Sequence, residues 1–292
     1  MDKEAYYKEQ LTSLKDVMNR TTDYMDELQY QLEQAKSELE QKHSEMLQSI
    51  SYASKLQDKI FLDKTLFETF FSESFMYISQ RDGIGGDMIY GKEKKGIIYF
   101  GLMDCTGHGV PGALISIMGY TFLEEIFSTG NNINPSEICF QLNQKILNVL
   151  QENKRTDILK DGMDAIFCSY EKSTKKMTYT CAGRPIWYCK NGNWEKIKSK
   201  GLSIGGDGNS NFLSEEVLLN EGDEVFLFSD GLTDQFGGEK DKKFLPKRVS
   251  KIVKDRNFLS LESRLSHLKN EHLDWKSQTF QTDDVAFLGL RI

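Results

Sequence analysis

The residues of this chain best suited to chemistry are aspartates standing where apolar runs stop. The run Ile97-Ile98-Tyr99-Phe100-Gly101-Leu102-Met103 ends in Asp104, and a loop with Gly107, Gly109 and Gly112 leads into the helical pattern Ala113–Phe127. Asp87 follows Gly85-Gly86 and opens a short strand pattern, Asp87–Tyr90. Val225-Phe226-Leu227-Phe228 stops at Ser229-Asp230-Gly231, and Gln281-Thr282-Asp283-Asp284 stands directly before the final strand pattern Val285–Leu290. Carboxylates at strand ends beside small residues suit a hard, oxygen-seeking cation such as Mg²⁺ or Mn²⁺. One such aspartate is usually a turn former. Four sites of this kind in one domain shift the balance towards a multi-carboxylate metal centre. No close His pair or Cys cluster competes for a softer metal.

The elements that must position these aspartates follow from periodicity. Asp87–Tyr90 and Ile97–Met103 are close enough to pair as a hairpin, which would bring Asp87 and Asp104 to one end of a sheet. Phe75–Ile78 reads as a strand before them. Ala113–Phe127 and Pro135–Gln151 read as amphipathic helices, the second capped by Asn134 with Pro135 at its first position. Asp161-Gly162-Met163-Asp164 leads into the strand Ala165–Tyr170. Lys176–Ala182 and Pro185–Lys190 are strands around the turn Gly183-Arg184, and Asn191-Gly192 signals a hairpin before Trp194–Ile197. Glu215–Leu219 and Asp223–Ser229 read as a strand pair across Asn220-Glu221-Gly222, and helical patterns return at Leu245–Val253 and Leu259–Leu273. Strands grouped in blocks, with helices in separate pairs, predict a layered α+β sandwich rather than a doubly wound parallel sheet.

Residues 1–50 are different in kind. They lack Pro and Gly, and Leu11, Leu14, Met18, Met25, Leu28, Leu32, Ala35, Leu39 and Met46 share one a/d register, weakened by Thr21, Lys42 and Ser49. So narrow a seam needs a partner helix, which predicts a parallel homodimeric coiled coil on the order of 70 Å long. After Ser49 the stripe rotates to Ile50, Ala53, Leu56 and Ile60, so a helical linker, 51–65, joins the rod to a globular body, 66–292. Whether the phase break regulates the body or merely caps it stays open.

Composition excludes several classes. The net charge of −7 argues against nucleic acid as a bulk partner, despite basic clusters at Lys92–Lys95 and Lys240–Arg256. Five cysteines, an odd number and several in strand patterns, suit a reduced cytoplasmic protein. No secretory signal is visible, and no run of about 20 apolar residues is read as a membrane span.

In order, GGD, DCTGHGVPGA, DGMD, FLFSDGLTDQFGG and QTDDVAFLGLRI resemble the bacterial PPM-type serine/threonine phosphatases, in the stage II sporulation protein E (SpoIIE-like) branch. The similarity covers about residues 66–292, and SISYASKLQDKIF before it looks like the helical lead-in found there. It implies an α-β-β-α sandwich with a two-ion Mn²⁺ or Mg²⁺ site between the sheets, hydrolysing phosphoserine or phosphothreonine in a protein. By position, Asp87 and Asp104 would hold the metals, with Asp104 bridging both. The Cys105 carbonyl would be a further ligand, and Asp230 and Asp283 would complete the set with Asp284 as neighbour. A bridging water would attack phosphorus, so no protein nucleophile is needed. Asp161 and Asp164 match DGMD, either as ligand support or as a strand-start turn. Arg81 stands near the place of the wider family's phosphate-binding arginine. The family's acid histidine lies where this chain has Thr106, which leaves His108 as a helix-leading loop residue. Substrates in this branch are often small phosphorylated regulators of sigma-factor partner switching, such as an anti-sigma-factor antagonist.

The competing reading from another class is a catalytically weak phosphatase-fold dimer serving as a signalling scaffold. The presence of all the expected carboxylates favours the enzyme. A nucleotide-cyclase reading of GGD fails, because no strand–GGD–E–F hairpin accompanies it.

Overall fold

The structure is a computed structural model that describes residues 3–61, 64–130, 133–151, 161–199, 203–206, 211–255 and 260–292. Arg256 and Leu259, which the basic cluster and the last helical pattern included, lie outside the described residues. The chain divides into two compact units, Met1–Tyr52 and Ala53–Ile292. The first belongs to helix α1, Lys3–Phe61, along which Leu11, Leu14, Met18, Met25, Leu28, Leu32, Leu39 and Met46 are all exposed.

The second unit holds two five-stranded antiparallel sheets between two helix pairs. After α2 (Lys64–Phe70) come β1 (Glu73–Ser79), β2 (Met88–Lys94), β3 (Ile97–Cys105), α3 (Gly109–Thr129) and α4 (Pro135–Gln151). Then follow β4 (Met163–Glu171), β5 (Lys176–Ala182), β6 (Ile186–Lys190), β7 (Asn193–Ile197), β8 (Glu215–Leu218) and β9 (Glu224–Phe228). The chain closes with α5 (Gly231–Asp234), β10 (Phe236–Gly237), β11 (Lys242–Lys243), α6 (Pro246–Val253), α7 (Leu261–Lys276) and β12 (Val285–Arg291). One sheet runs β1-β12-β9-β6-β7, the other β2-β3-β4-β5-β8. The architecture is the expected layered α+β sandwich.

The period of two builds three cores from these strands. On β3, Ile98, Phe100 and Leu102 enter the core between the sheets, while Tyr99 and Met103 enter the one under α3 and α4. On β9, Val225 and Leu227 face the other sheet, and Phe226 and Phe228 face α6 and α7. Such strands, apolar on both faces, must be interior strands.

That requirement corrects one expected pairing. Glu215–Leu218 and Glu224–Phe228 are not a hairpin: β8 pairs with β5, and β9 lies between β12 and β6 in the other sheet. A half-exposed strand can close an edge, whereas fully buried β9 needs neighbours on both sides. Asp223 turns the chain between sheets by accepting the amides of Asn220 (2.7 Å) and Asn191 (2.8 Å). The turn Gly183-Arg184 likewise leads from one sheet to the other. The hairpin β6–β7 does form across Asn191-Gly192, both at positive φ (50° and 77°).

A second correction concerns hydropathy. Helix α3 is, by length and composition, apolar enough to cross a bilayer. Its burial here has another cause: Leu123, Ile126 and Phe127 pack into the core beneath it, and Glu124 accepts hydrogen bonds from Tyr90 and Lys92. It is a core helix of the sandwich.

Candidate metal centre

Strand alternation carries the carboxylates to one place. Asp104 continues the inter-sheet side of β3 two residues past Leu102, and Asp164 precedes Ile166 on the inter-sheet side of β4. Asp284 stands in the same relation to Ala286 of β12, and Asp87 to Ile89 of β2. Register supplies the other dimension. Met88 faces Met103, which sets Asp87 beside Asp104 at the sheet end, and Asp104 faces Asp164 directly. Asp230 follows β9 from the opposite sheet, and its amide reaches Asp104 Oδ2 at 3.4 Å.

A cavity of about 400 Å³ opens here, lined by Asp104, Cys105, Asp164, Arg184, Asp230 and Asp283 among others. Cys105 sends its side chain into the core under α3, where burial pushes the thiol far up, so its carbonyl is the group left for the site. Asp87 is almost fully buried, and its Oδ2 has no hydrogen-bond partner. Burial, then the charge of Asp104, raises its carboxyl well above the carboxylate range. Asp104 is pushed up to about 7 by burial, against the pull of Arg184 and with further push from Asp230.

Asp284 takes a role that its neighbours in sequence did not signal. Its Oδ1 accepts the Arg81 amide and its Oδ2 the Gly86 amide, both at 2.7 Å, so the carboxylate clamps the loop that presents Asp87. The clamp needs glycine at 85, where a Cβ would lie 2.2 Å from Asp284 Oδ2. From the other side, buried Gln57 donates to the Gly85 carbonyl (2.7 Å) and to Ser116 Oγ (3.1 Å).

Arg184 was not anticipated; its sequence context marked it as a turn. Its Nη2 lies 2.7 Å from both Asp104 Oδ2 and Asp230 Oδ2, and its Nε 3.3 Å from Asp164 Oδ2. Burial lowers the basicity of the guanidinium, but Asp104 and Asp230 outweigh it and raise the pKa overall. Arg81, by contrast, leans on the Thr282 carbonyl (3.3 Å) and on Asp82 (3.8 Å). Asp82 also pairs with His108, at 2.6 Å from Nδ1. Asp161 lies beside the cavity-lining Gly162, its carbonyl close to Gly205.

Among the described residues, no three ligand groups close on a single point in this arrangement. The guanidinium of Arg184 stands between Asp104 and Asp230 instead. The donor set still fits hard divalent cations: it is all oxygen, it holds an orphaned buried carboxylate oxygen, and burial raises its Asp87 and Asp104 carboxyl groups, whose charged forms a cation would favour.

The family model of the stage II sporulation protein E (SpoIIE) matches residues 94–292. Among curated proteins, the chain is 25% identical over 213 residues to phosphoserine phosphatase RsbU of Bacillus subtilis, covering 71% of this chain. The chain spans 59% of that relative's length. The SiaA-PP2C domain of Pseudomonas aeruginosa superposes with a TM-score of 0.76 at 25% identity, over 86% of this chain and 98% of that one. RsbX solved in complex with magnesium shares the fold (TM-score 0.55, 16% identity, 75% of this chain and 94% of that one). Matched over most of its globular unit by the family model, the chain belongs to the SpoIIE family.

Proposed function

We propose that this protein is a metal-dependent phosphatase that hydrolyses phosphoserine or phosphothreonine on a regulatory protein in bacterial signalling, using two Mn²⁺ or Mg²⁺ ions. The observation that carries the reading is the gathering of Asp87, Asp104, Asp230 and Asp283 at one end of the sandwich, with more negative charge than Arg184 can offset. The names of RsbU and of magnesium-bound RsbX support it. Asp87, Asp104, Asp230, Asp283 and the Cys105 carbonyl would hold the ions. Asp284 would act one step back, through its grip on the Gly86 amide. Ions in such a site acidify a water and offset phosphate charge. The chain's own part is to fix the donors on rigid strand ends beside an open cavity. The Cys105 thiol, turned away and held protonated, is no nucleophile. Substrates would be phosphorylated partner-switching regulators such as an anti-sigma-factor antagonist, met in the cytoplasm.

The test is phosphate release from p-nitrophenyl phosphate and from a phosphoserine peptide. Release should require Mn²⁺ or Mg²⁺, stop with chelator and return on adding metal. Metal-independent or absent turnover refutes the reading. One observation favours a second reading, a signalling scaffold of low activity: Arg184 already occupies the space between Asp104 and Asp230. That reading gains if Mn²⁺ binds without turnover.

The seam of residues 11–46 is proposed to make the protein a parallel homodimer. Light scattering at micromolar concentration should give twice the chain mass; a monomeric mass overturns it.

A further inference from the structure

Arg184 is the one arginine or lysine lining the cavity among the described residues, and the phosphatase reading alone gives it no task. Its side chain is 15% exposed, and it reaches three carboxylates from both sheets. The backbone beneath it is fixed. Gly183 takes φ +90°, and a Cβ there would lie 2.1 Å from Asp164 Oδ1. On the other side, Pro185 restricts Arg184 to extended conformations. Any movement therefore belongs to the side chain, a long stem ending in a planar fork.

We propose that Arg184 is the phosphate-binding residue of this centre. The proposal deepens the phosphatase reading and rests on it. Arg184 supplies the positive charge nearest to Asp104 and Asp230. Divalent ions held by those carboxylates would take over that task and repel the guanidinium from between them. Freed there, it still lines the cavity, within ion-pair distance of Asp164. Asp164 is itself held in place by the Ser203 hydroxyl. A guanidinium fork matches the oxygens of a phosphate in two-pronged geometry. Arg81 is less suited, because it lies outside the cavity lining and its charge is committed to the Thr282 carbonyl and Asp82.

The experiment compares full-length wild type with Arg184→Gln and Arg184→Lys, by calorimetric titration first with Mn²⁺ alone and then with orthophosphate on the Mn²⁺-loaded protein. Arg184→Gln should bind Mn²⁺ at least as tightly as wild type, since no guanidinium has to leave. It should bind orthophosphate about tenfold more weakly or worse, the loss expected for one charge-assisted contact pair. Arg184→Lys, a point charge without the fork, should fall between on orthophosphate with Mn²⁺ binding intact. If Arg184→Gln does not fold, the Lys variant carries the same test. In turnover of p-nitrophenyl phosphate, KM should rise more than kcat falls. Unchanged orthophosphate affinity in the variants overturns the assignment. So does weakened Mn²⁺ binding with phosphate binding intact, which would make Arg184 a prop for the carboxylates. A wild type that binds neither Mn²⁺ nor orthophosphate overturns the phosphatase reading itself, and the Arg184 assignment with it.

Discussion

The two ends of the same strands treat buried charge in opposite ways. At the end away from the cavity, Glu224 opens β9 and Arg291 closes β12, and their side chains meet at 2.7 Å. Arg264 of α7 joins Glu224, and Glu73 of β1 joins Arg291 and also accepts the Leu261 amide. Two carboxylates face two guanidinium groups, so the charges balance. At the cavity end, Asp104, Asp164 and Asp230 share one guanidinium, Arg184, while Asp87 and Asp283 stand beside Asp104 without a share in it. The balanced network ties α7 to both strands. The unbalanced one is held together by the fold against its own repulsion, which the cations of the proposed phosphatase would relieve. Surplus charge of one sign, kept at a cost, is the mark of the functional end.

Breaking each network should therefore fail in a different currency. Asp104→Asn should lower phosphatase turnover on the order of 10³-fold, because charge that the ions need is gone. Its metal-free melting temperature should stay level or rise, since a carboxylate that burial already raises to about 7 has been removed. Turnover near the wild-type rate with Mn²⁺ present would remove Asp104 from the centre.

Arg264→Met is the opposite case. Glu224 is left with half of its partners in a buried place, at a cost of about 3 kcal/mol. That is roughly a 6–12 °C fall in Tm for a domain of this size. Turnover per folded molecule should not change. A variant that keeps its Tm but loses activity would show that the two ends are not separate.

A pH series sharpens the contrast further. Asp104 titrates near 7 in the folded metal-free chain and near 4 when unfolded, so between those values the folded state holds the extra proton. Its stabilising contribution is complete below about pH 4 and is lost as pH rises through about 7. Buried Asp87, also raised, acts in the same direction. The metal-free protein should therefore lose a few kcal/mol at most over this window. Melting curves in chelator should show the decline, Asp104→Asn should reduce it to the part that Asp87 contributes, and saturating Mn²⁺ should abolish it. A decline of equal size in Asp104→Asn would place its origin elsewhere.

What could be read from the sequence was whatever local rules decide. The aspartates ending apolar runs, the hairpin that pairs Asp87 with Asp104, the Asn191-Gly192 turn and the Asn134 cap, whose Oδ1 accepts the Ser136 amide at 3.0 Å, are all local. The layered architecture followed from counting blocks. What stayed hidden depends on partners far along the chain. Sheet membership of β8 and β9 is decided by how far each strand is buried, half-exposed β8 at an edge and fully buried β9 in the interior, which adjacent turns do not encode. Asp283 and Asp284 look alike in sequence, yet Asp284 alone binds the loop amides from about 200 residues away. Arg184 looked like a turn residue because its partners, Asp104, Asp164 and Asp230, come from three other segments.

The smallest expected effect lies at the edge of the functional end. Gln57 sits on the last turns of α1 within the globular unit, buried, with its amide group donating to the Gly85 carbonyl and to Ser116 Oγ and accepting the Gly85 amide at 3.3 Å. Gly85 precedes the amide that Asp284 holds and stands two residues before Asp87, so Gln57 and Asp284 grip the same loop from opposite sides. The sandwich does not need Gln57 for its core; the loop needs it for position. Gln57→Ala leaves the Gly85 amide without its partner and the Gly85 carbonyl with the Ser116 hydroxyl alone, which costs about 1–3 kcal/mol, drawn from the loop rather than from the sheets. The Mn²⁺ concentration for half-maximal activity should therefore rise severalfold, while turnover at saturating Mn²⁺ stays within about twofold of wild type, because bound metal can repay a loop-ordering cost of this size. A titration of activity against Mn²⁺ reads both quantities. An unchanged metal requirement with a lower Tm would assign Gln57 to packing alone, and a loss of turnover that saturating metal does not restore would place it nearer the reaction than its contacts suggest.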